Sequence, residues 1–301
     1  MTERLTVAAA QTAPVFLDLE ASVEKACRWI GEAGKQGVQL LVFPETWLPG
    51  YPAWLDHSPN AALWDHPPAK TIFRRLYENS PEVPSAVTAR LCAAAAEARL
   101  TVAIGLHERL GGTLYNTLLY LSANGEILGL HRKLMPTYTE RLIWGQGDGT
   151  TLKAVEAPFG PLGGLICWEH WMPLARQAMH QQQEVVHAAV WPAVKETHLL
   201  ASRAYAFEGR CFVVAAGSLL GRGDLPPGLA LLDEMPGDGP WLNGGSAIIG
   251  PDAGLLAGPA GPEEGLVAAE IDLGRISEEK MTLDVAGHYA RPDVFDFGVK
   301  Q

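Results

Sequence analysis

Leu162-Gly163-Gly164-Leu165-Ile166-Cys167-Trp168-Glu169-His170-Trp171-Met172-Pro173 is the stretch on which the reading of this chain turns. Leu162 to Ile166 is short, apolar and bounded by glycines, the pattern of a buried strand. Pro173 suits the first turn of a helix, and Leu174, Gln177, Ala178 and Met179 continue it. Cys167 then falls in a strand-to-helix turn, near free backbone N–H groups. A helix dipole or a cation there lowers a thiol pKa, and the thiolate is the reactive form. Free cysteine is more often a small, inert core residue. That bland reading suits Cys27 and Cys92, which lie in alanine-rich helical patterns, and Cys211, which precedes the apolar run Phe212 to Ala216.

Working outward, apolar runs and helical periodicities alternate. Strands are expected at Leu5–Gln11, Val38–Phe43, Thr101–Leu106, Asn116–Leu121, Ile127–His131, Val155–Pro158, Val185–Trp191, Phe212–Ala216, Ser246–Ile249 and Leu266–Ile271. Asn124-Gly125 marks a hairpin between the fourth and fifth of these. Helices are expected at Glu20–Gln36, Ala69–Tyr77, Pro84–Arg99, His198–Glu208 and Arg275–Met281. Arg132–Thr151 and Leu219–Gly245 lack periodicity and read as loops. The alternation favours an α/β layered fold with helices covering the sheets. No Pro/Ser linker divides the chain, so residues 1–301 are expected to form one domain, with a short irregular tail from about residue 285.

Composition narrows the function. The 301 residues suffice for a large core. A formal net charge of -11 without a basic block argues against nucleic acid. Four scattered cysteines without a Cys-x-x-Cys pair, and histidines without a convincing His-x-x-x-His helix, make metal binding a poor reading. No apolar stretch is long enough to cross a membrane, and Met1-Thr-Glu-Arg-Leu-Thr-Val carries no long apolar signal region, so a cytoplasmic location is expected.

Three polar residues end apolar strands. Glu45 follows Val38–Phe43 through Pro44, Lys133 follows Ile127–His131, and Cys167 ends its own run. Alone, Glu45 could be a surface carboxylate and His131-Arg132-Lys133 a solvated turn. Ligands in α/β folds, however, gather at the carboxyl ends of strands. An acid, a base and a thiol at equivalent positions make chemical sense together. A thiolate attacks an electrophilic carbon, a desolvated carboxylate takes the thiol proton and later activates water, and a cation with a backbone N–H near Trp168 steadies the developing anion.

Phe43-Pro44-Glu45-Thr46-Trp47-Leu48-Pro49-Gly50-Tyr51-Pro52, His131 through Gly149, and Cys167-Trp168-Glu169-His170 resemble the three signature blocks of the nitrilase superfamily, the carbon–nitrogen hydrolases. The resemblance runs from about Leu5 to Pro292. Cys167-Trp168-Glu169, Met135 through Arg141 and Gly287 through Asp293 are most similar to its nitrilase branch. The resemblance implies a four-layer α-β-β-α sandwich whose subunits pair through outer helices into dimers or larger oligomers. It implies Glu45 as general base, Lys133 as oxyanion donor, Cys167 as nucleophile, and Glu140 as an additional glutamate that positions Lys133 or assists proton transfer. The implied reaction converts an organic nitrile to its carboxylic acid and ammonia through a thioimidate and a thioester, with no metal or organic cofactor. Tyr51, Trp54, Tyr138, Trp168, His170 and Trp191 are the candidate substrate-pocket residues. An amidase or carbamoyl-amide hydrolase with the same residues, a cyanide-degrading variant, and a non-catalytic scaffold are the alternatives.

Overall fold

Neighbouring residues of the first strand face two different cores. Val7 and Ala9 enter a cluster shared with the second sheet, whereas Ala8 and Ala10 pack against helices. Leu40 and Val42 repeat the first choice, and Leu41 and Phe43 the second. Strands buried on both faces are continuously apolar, which is why these runs showed no alternation. The computed structural model describes residues 4–300.

The chain starts the first sheet with β1 (Arg4–Gln11) and crosses through α1 (Leu19–Lys35) to β2 (Leu40–Val42). It then passes α2 (Trp54–His57), α3 (Pro67–Glu78) and α4 (Ala86–Ala98) to reach β3 (Thr101–Leu110). β4 (Thr113–Leu121) and β5 (Ile127–Arg132) return as antiparallel neighbours. The second sheet holds β6 (Val155–Ala157), β7 (Gly160–Ile166), α5 (Pro173–His180), β8 (Val186–Val190), α6 (Glu196–Gly209) and β9 (Phe212–Ala216). A small ribbon, β10 (Leu219–Leu220), is separated by α7 (Ala230–Asp233) from its partner β11 (Leu242–Asn243). β12 (Ala247–Ile249) and β13 (Leu255–Ala257) extend the second sheet, and β14 (Gly265–Asp272) returns to pair with β1 before α8 (Gly274–Lys280).

Two six-stranded sheets result, ordered β14-β1-β2-β3-β4-β5 and β13-β12-β9-β8-β7-β6. β1, β2 and β3 are parallel, as are β7, β8 and β9. Leu5, Leu40, Leu118 and Tyr120 of the first sheet share one core with Leu162, Val186 and Phe212 of the second. Val23, Ile30, Leu91 and Ala95 of α1 and α4 cover the outer face of the first sheet. Ala175, Met179, Ala201 and Tyr205 of α5 and α6 cover the second. This is the expected four-layer α/β sandwich.

Several boundaries differ from expectation. β3 runs four residues further, to Leu110, and turns through Gly111, whose φ of 57° suits glycine, directly into β4. Leu219–Gly245 is not wholly loop, because β10, β11 and α7 lie in it. β5 is an edge strand of mostly intermediate burial, so Lys133 does not end a fully buried strand. Past Lys280 the described chain contains turns but no further helix or strand. Among the described residues no helix is long and apolar enough to cross a membrane.

Candidate active site

Glu45 leaves β2 through a tight exit. A Cβ at Gly105 on β3 would overlap the Pro44 carbonyl oxygen, so the close approach of this segment to β3 requires glycine there. The Glu45 N–H also donates to the Trp191 carbonyl across the sandwich, at 3.3 Å. Lys133 follows β5, and its N–H donates to the Asn116 carbonyl at 2.8 Å. β5 lies antiparallel to β4, which lies antiparallel to β3, so β5 runs in the direction of β2 and delivers Lys133 to the same end. Glu140 lies in a 3-10 turn, Tyr138–Leu142, where its Oε2 accepts from Thr137 N–H at 2.6 Å. Cys167 begins a second 3-10 turn, Cys167–Trp171, directly after β7, with φ at 55°. A non-glycine residue held there costs about 1–3 kcal/mol.

The four side chains meet in a buried cluster. Lys133 Nζ donates to Glu45 Oε1 at 2.9 Å and to Glu140 Oε2 at 2.6 Å. Asn116 Nδ2 donates to the same Glu45 oxygen at 2.7 Å, and Tyr51 Oη donates to Glu140 Oε1 at 3.1 Å. Glu45 Oε2 is buried and has no hydrogen-bond partner among the described residues. Donor atoms of Glu45, Glu140 and Cys167 lie within 4.8 Å of one another. That spacing would suit a cation, but the Lys133 ammonium already compensates both carboxylates.

Burial sets the charges. Desolvation raises the Glu45 carboxyl to about 7, against the pull of Lys133. The same desolvation opposes the Lys133 charge, yet Glu45, Cys167 and Glu140 outweigh it and hold the ammonium above its ordinary range. Burial, with Glu45, pushes the Cys167 thiol well up; Lys133 and the Trp168 N–H pull the other way. The resting site is therefore a neutral thiol beside a carboxyl that titrates near neutrality, with a fixed cation.

Comparison with known proteins matches residues 6–281 to the carbon–nitrogen hydrolase family model. The chain belongs to the carbon–nitrogen hydrolase family. It is 46% identical to nitrilase 2 of an unknown prokaryotic organism over 303 residues, covering 98% of this chain and 92% of that protein. It is 39% identical to the aliphatic nitrilase of Sinorhizobium fredii (strain HH103), covering 99% and 96%. The fold is similar to the carbon–nitrogen hydrolase of Helicobacter pylori G27, with a TM-score of 0.74 at 19% identity and 97% of each chain covered.

In this carbon–nitrogen hydrolase Cys167 opens on a cavity of about 360 Å³. Tyr51, Tyr138, Trp168 and Trp241 supply its aromatic wall, with Asp56, His57 and Lys195 also on its lining. Of the six pocket candidates, Tyr51, Tyr138 and Trp168 line this cavity. The other three do not. Trp54 is buried in a neighbouring apolar cluster with Phe16 and Leu232. His170 and Trp191 are fully buried and stack on each other with centroids 4.7 Å apart, outside the cavity lining. Large aromatic and imidazole rings beside a reactive block or at a strand end fit a core as well as a pocket, and here the core took them.

Sequence reasoning missed three members of this family site. Trp241 reaches the cavity from the irregular segment before β11. Asn116 holds Glu45 and the Lys133 backbone at once. Glu169 ties the two sheets together. Its Oε1 accepts from Leu134 N–H and its Oε2 from Ile166 N–H, each at 2.7 Å, and His131 Nε2 donates to the carboxylate at 3.0 Å. Burial works against that charge, but His131 and the two N–H groups keep the Glu169 carboxyl low. Glu169 thus fixes the residues beside Lys133 and Cys167. The available signals were a lone amide among apolar residues of β4 and an acid two residues after the candidate nucleophile.

Proposed function

We propose that this protein is a nitrilase, hydrolysing an organic nitrile to the carboxylic acid and ammonia. The observation that carries the reading is the unpartnered Glu45 Oε2, beside Cys167 and in the same carboxylate whose Oε1 is locked by Lys133 and Asn116. Nitrilase-named relatives spanning nearly the whole chain favour this member of the family over an amidase.

Glu45 takes the Cys167 proton as sulfur adds to the nitrile carbon, and the nitrogen receives a proton to give a thioimidate. A buried carboxylate near pKa 7 suits both acceptance and return of that proton. Lys133 and the Trp168 N–H stabilise the charge that develops outside the carbon. Water activated by Glu45 adds, ammonia leaves, and a thioester remains. A second water releases the acid and restores the thiol. Glu140 holds Lys133 by its Oε2 and is itself held by Tyr51, so it acts as a positioning residue. Tyr51, Tyr138, Trp168 and Trp241 form the substrate wall, which suits an apolar substituent on the nitrile.

The remaining parts of the reading concern the assembly. The two sheets, joined through β14, form one domain working without metal or organic cofactor. Exposed Leu174, Leu200 and Phe207 on α5 and α6 support pairing of subunits through these outer helices. Pairing of this kind makes a homo-oligomer, for which we keep the cytoplasmic location expected from the sequence.

The test is ammonia release and product identification on aromatic, arylaliphatic and short aliphatic nitriles with their matching amides. Acid plus ammonia from nitriles, lost in Cys167→Ala, supports a nitrilase. Turnover of amides alone moves the protein to an amidase and overturns this reading.

A further inference from the structure

Behind Cys167, a line of buried polar groups takes no part in the chemistry above. His170 Nδ1 lies 2.7 Å from the Cys167 carbonyl oxygen. His170 Nε2 lies 3.1 Å from His187 Nε2, and His187 Nδ1 lies 2.6 Å from Glu184 Oε2. Tyr205 donates to Glu184 Oε1. All four side chains are buried. The line is built into the sheet, because a Cβ at Gly163 on β7 would overlap Glu184 Oε2.

Elementary hydrogen-bond direction orders the protons. A carbonyl oxygen only accepts, so His170 Nδ1 carries hydrogen. In a neutral imidazole Nε2 then accepts, so His187 Nε2 must donate. Neutral His187 accepts at Nδ1, so Glu184 Oε2 must carry a proton. Tyr205 completes the set by donating to the other Glu184 oxygen.

We propose that His170, His187 and protonated Glu184 form a one-way chain of hydrogen bonds that fixes the left-handed backbone of Cys167, and thereby aims its sulfur at Glu45. The proposal rests on the nitrilase reading of the site and makes these three positioning residues for it. Burial agrees with the proton order, raising Glu184 to about 7 and lowering His170 to about 3. The left-handed φ of Cys167 is a backbone state that such a chain can hold against relaxation.

Glutamine can donate and accept where a protonated glutamic acid does, so Glu184→Gln preserves the chain, whereas Glu184→Leu breaks it. His170→Phe keeps an aromatic ring against Trp191 and removes the donor to Cys167. The experiment measures the rate of Cys167 alkylation by iodoacetamide, by peptide mass mapping, together with kcat and KM on the best nitrile. Glu184→Gln should stay within about threefold of wild type, while Glu184→Leu and His170→Phe lose about tenfold or more in alkylation and kcat with KM little changed. Should Glu184→Leu fail to fold, His170→Phe against Glu184→Gln makes the same comparison. Equal losses in Glu184→Gln and Glu184→Leu would overturn the proton order. Wild-type alkylation rates in His170→Phe would overturn the positioning role. A wild-type protein that alkylates but hydrolyses no nitrile would overturn the nitrilase reading and leave the alkylation comparison standing.

Discussion

Asn116 and Glu45 are joined by a 2.7 Å hydrogen bond from Nδ2 to Oε1, the same oxygen that receives Lys133. Two donors on one oxygen leave Oε2 as the free proton acceptor. Asn116→Leu removes one of them from a buried charge. The expected loss is about 1.5–3 kcal/mol, which becomes about ten- to a hundredfold in kcat if it falls on the transition state. Steady-state kinetics beside a thermal melt separate that loss from unfolding. An unchanged kcat would show that Lys133 alone orients the carboxylate.

Activity should have an acid limb near pH 7. In the proposed mechanism Glu45 accepts the thiol proton only when ionised, and its carboxyl is raised to about 7 by burial. Below that value kcat/KM should fall about tenfold per pH unit, one proton being involved. Lys133 is shifted upward and stays charged, so it adds no alkaline limb near neutrality. The thiol is shifted upward too, so ultraviolet titration should find no Cys167 thiolate at neutral pH. A flat profile down to pH 5 would place the base elsewhere.

Glu169→Gln should weaken the seam between the sheets. The carboxylate accepts from two backbone N–H groups through different oxygens, and an amide nitrogen cannot accept from either. One buried N–H is left without an acceptor, at about 1–3 kcal/mol. For a chain of this size that lowers the melting temperature by several degrees. Activity should fall as well, since Leu134 and Ile166 adjoin Lys133 and Cys167. Unchanged melting would mean that the N–H groups find other acceptors.

Gly105→Ala should inactivate with Cys167 and Lys133 untouched. The added methyl would overlap the Pro44 carbonyl oxygen and crowd Thr46 N, pushing Glu45 off its position. Gly112→Ala is the control, because nothing lies within 4 Å of a Cβ there. Turnover by Gly105→Ala equal to that of the control would show that the segment shifts without cost.

Much of this fold was legible because its strands are short, apolar and separated by well-marked helices. Val7 and Ala8 face different cores, yet both positions are apolar, so the sequence announces a buried strand without saying which layer each residue joins. Glu45, Lys133 and Cys167 were legible because each polar side chain lies at or just past the end of a strand, although the strand before Lys133 is only partly buried. Asn116 was not, since its role depends on β4 lying between β3 and β5, a fact of pairing rather than of local pattern. Trp54, His170 and Trp191 show the converse difficulty: a place beside a reactive block or at a strand end does not decide which face of the backbone a ring occupies. β13 and the ribbon of β10 and β11, only two or three residues per strand, lie below the length at which periodicity carries information.

Cys167 follows β7 of one sheet, and Glu45 and Lys133 follow β2 and β5 of the other. While the chain is being made and before the sheets close, its cysteine is therefore an ordinary thiol without a base or a cation beside it. The thiol, the carboxylate and the cation meet only where the two sheets are closed on each other. A nascent or damaged copy that leaves the sheets apart has only the ordinary chemistry of a free cysteine, and turnover at this one sulfur reports whether the whole molecule has been put together.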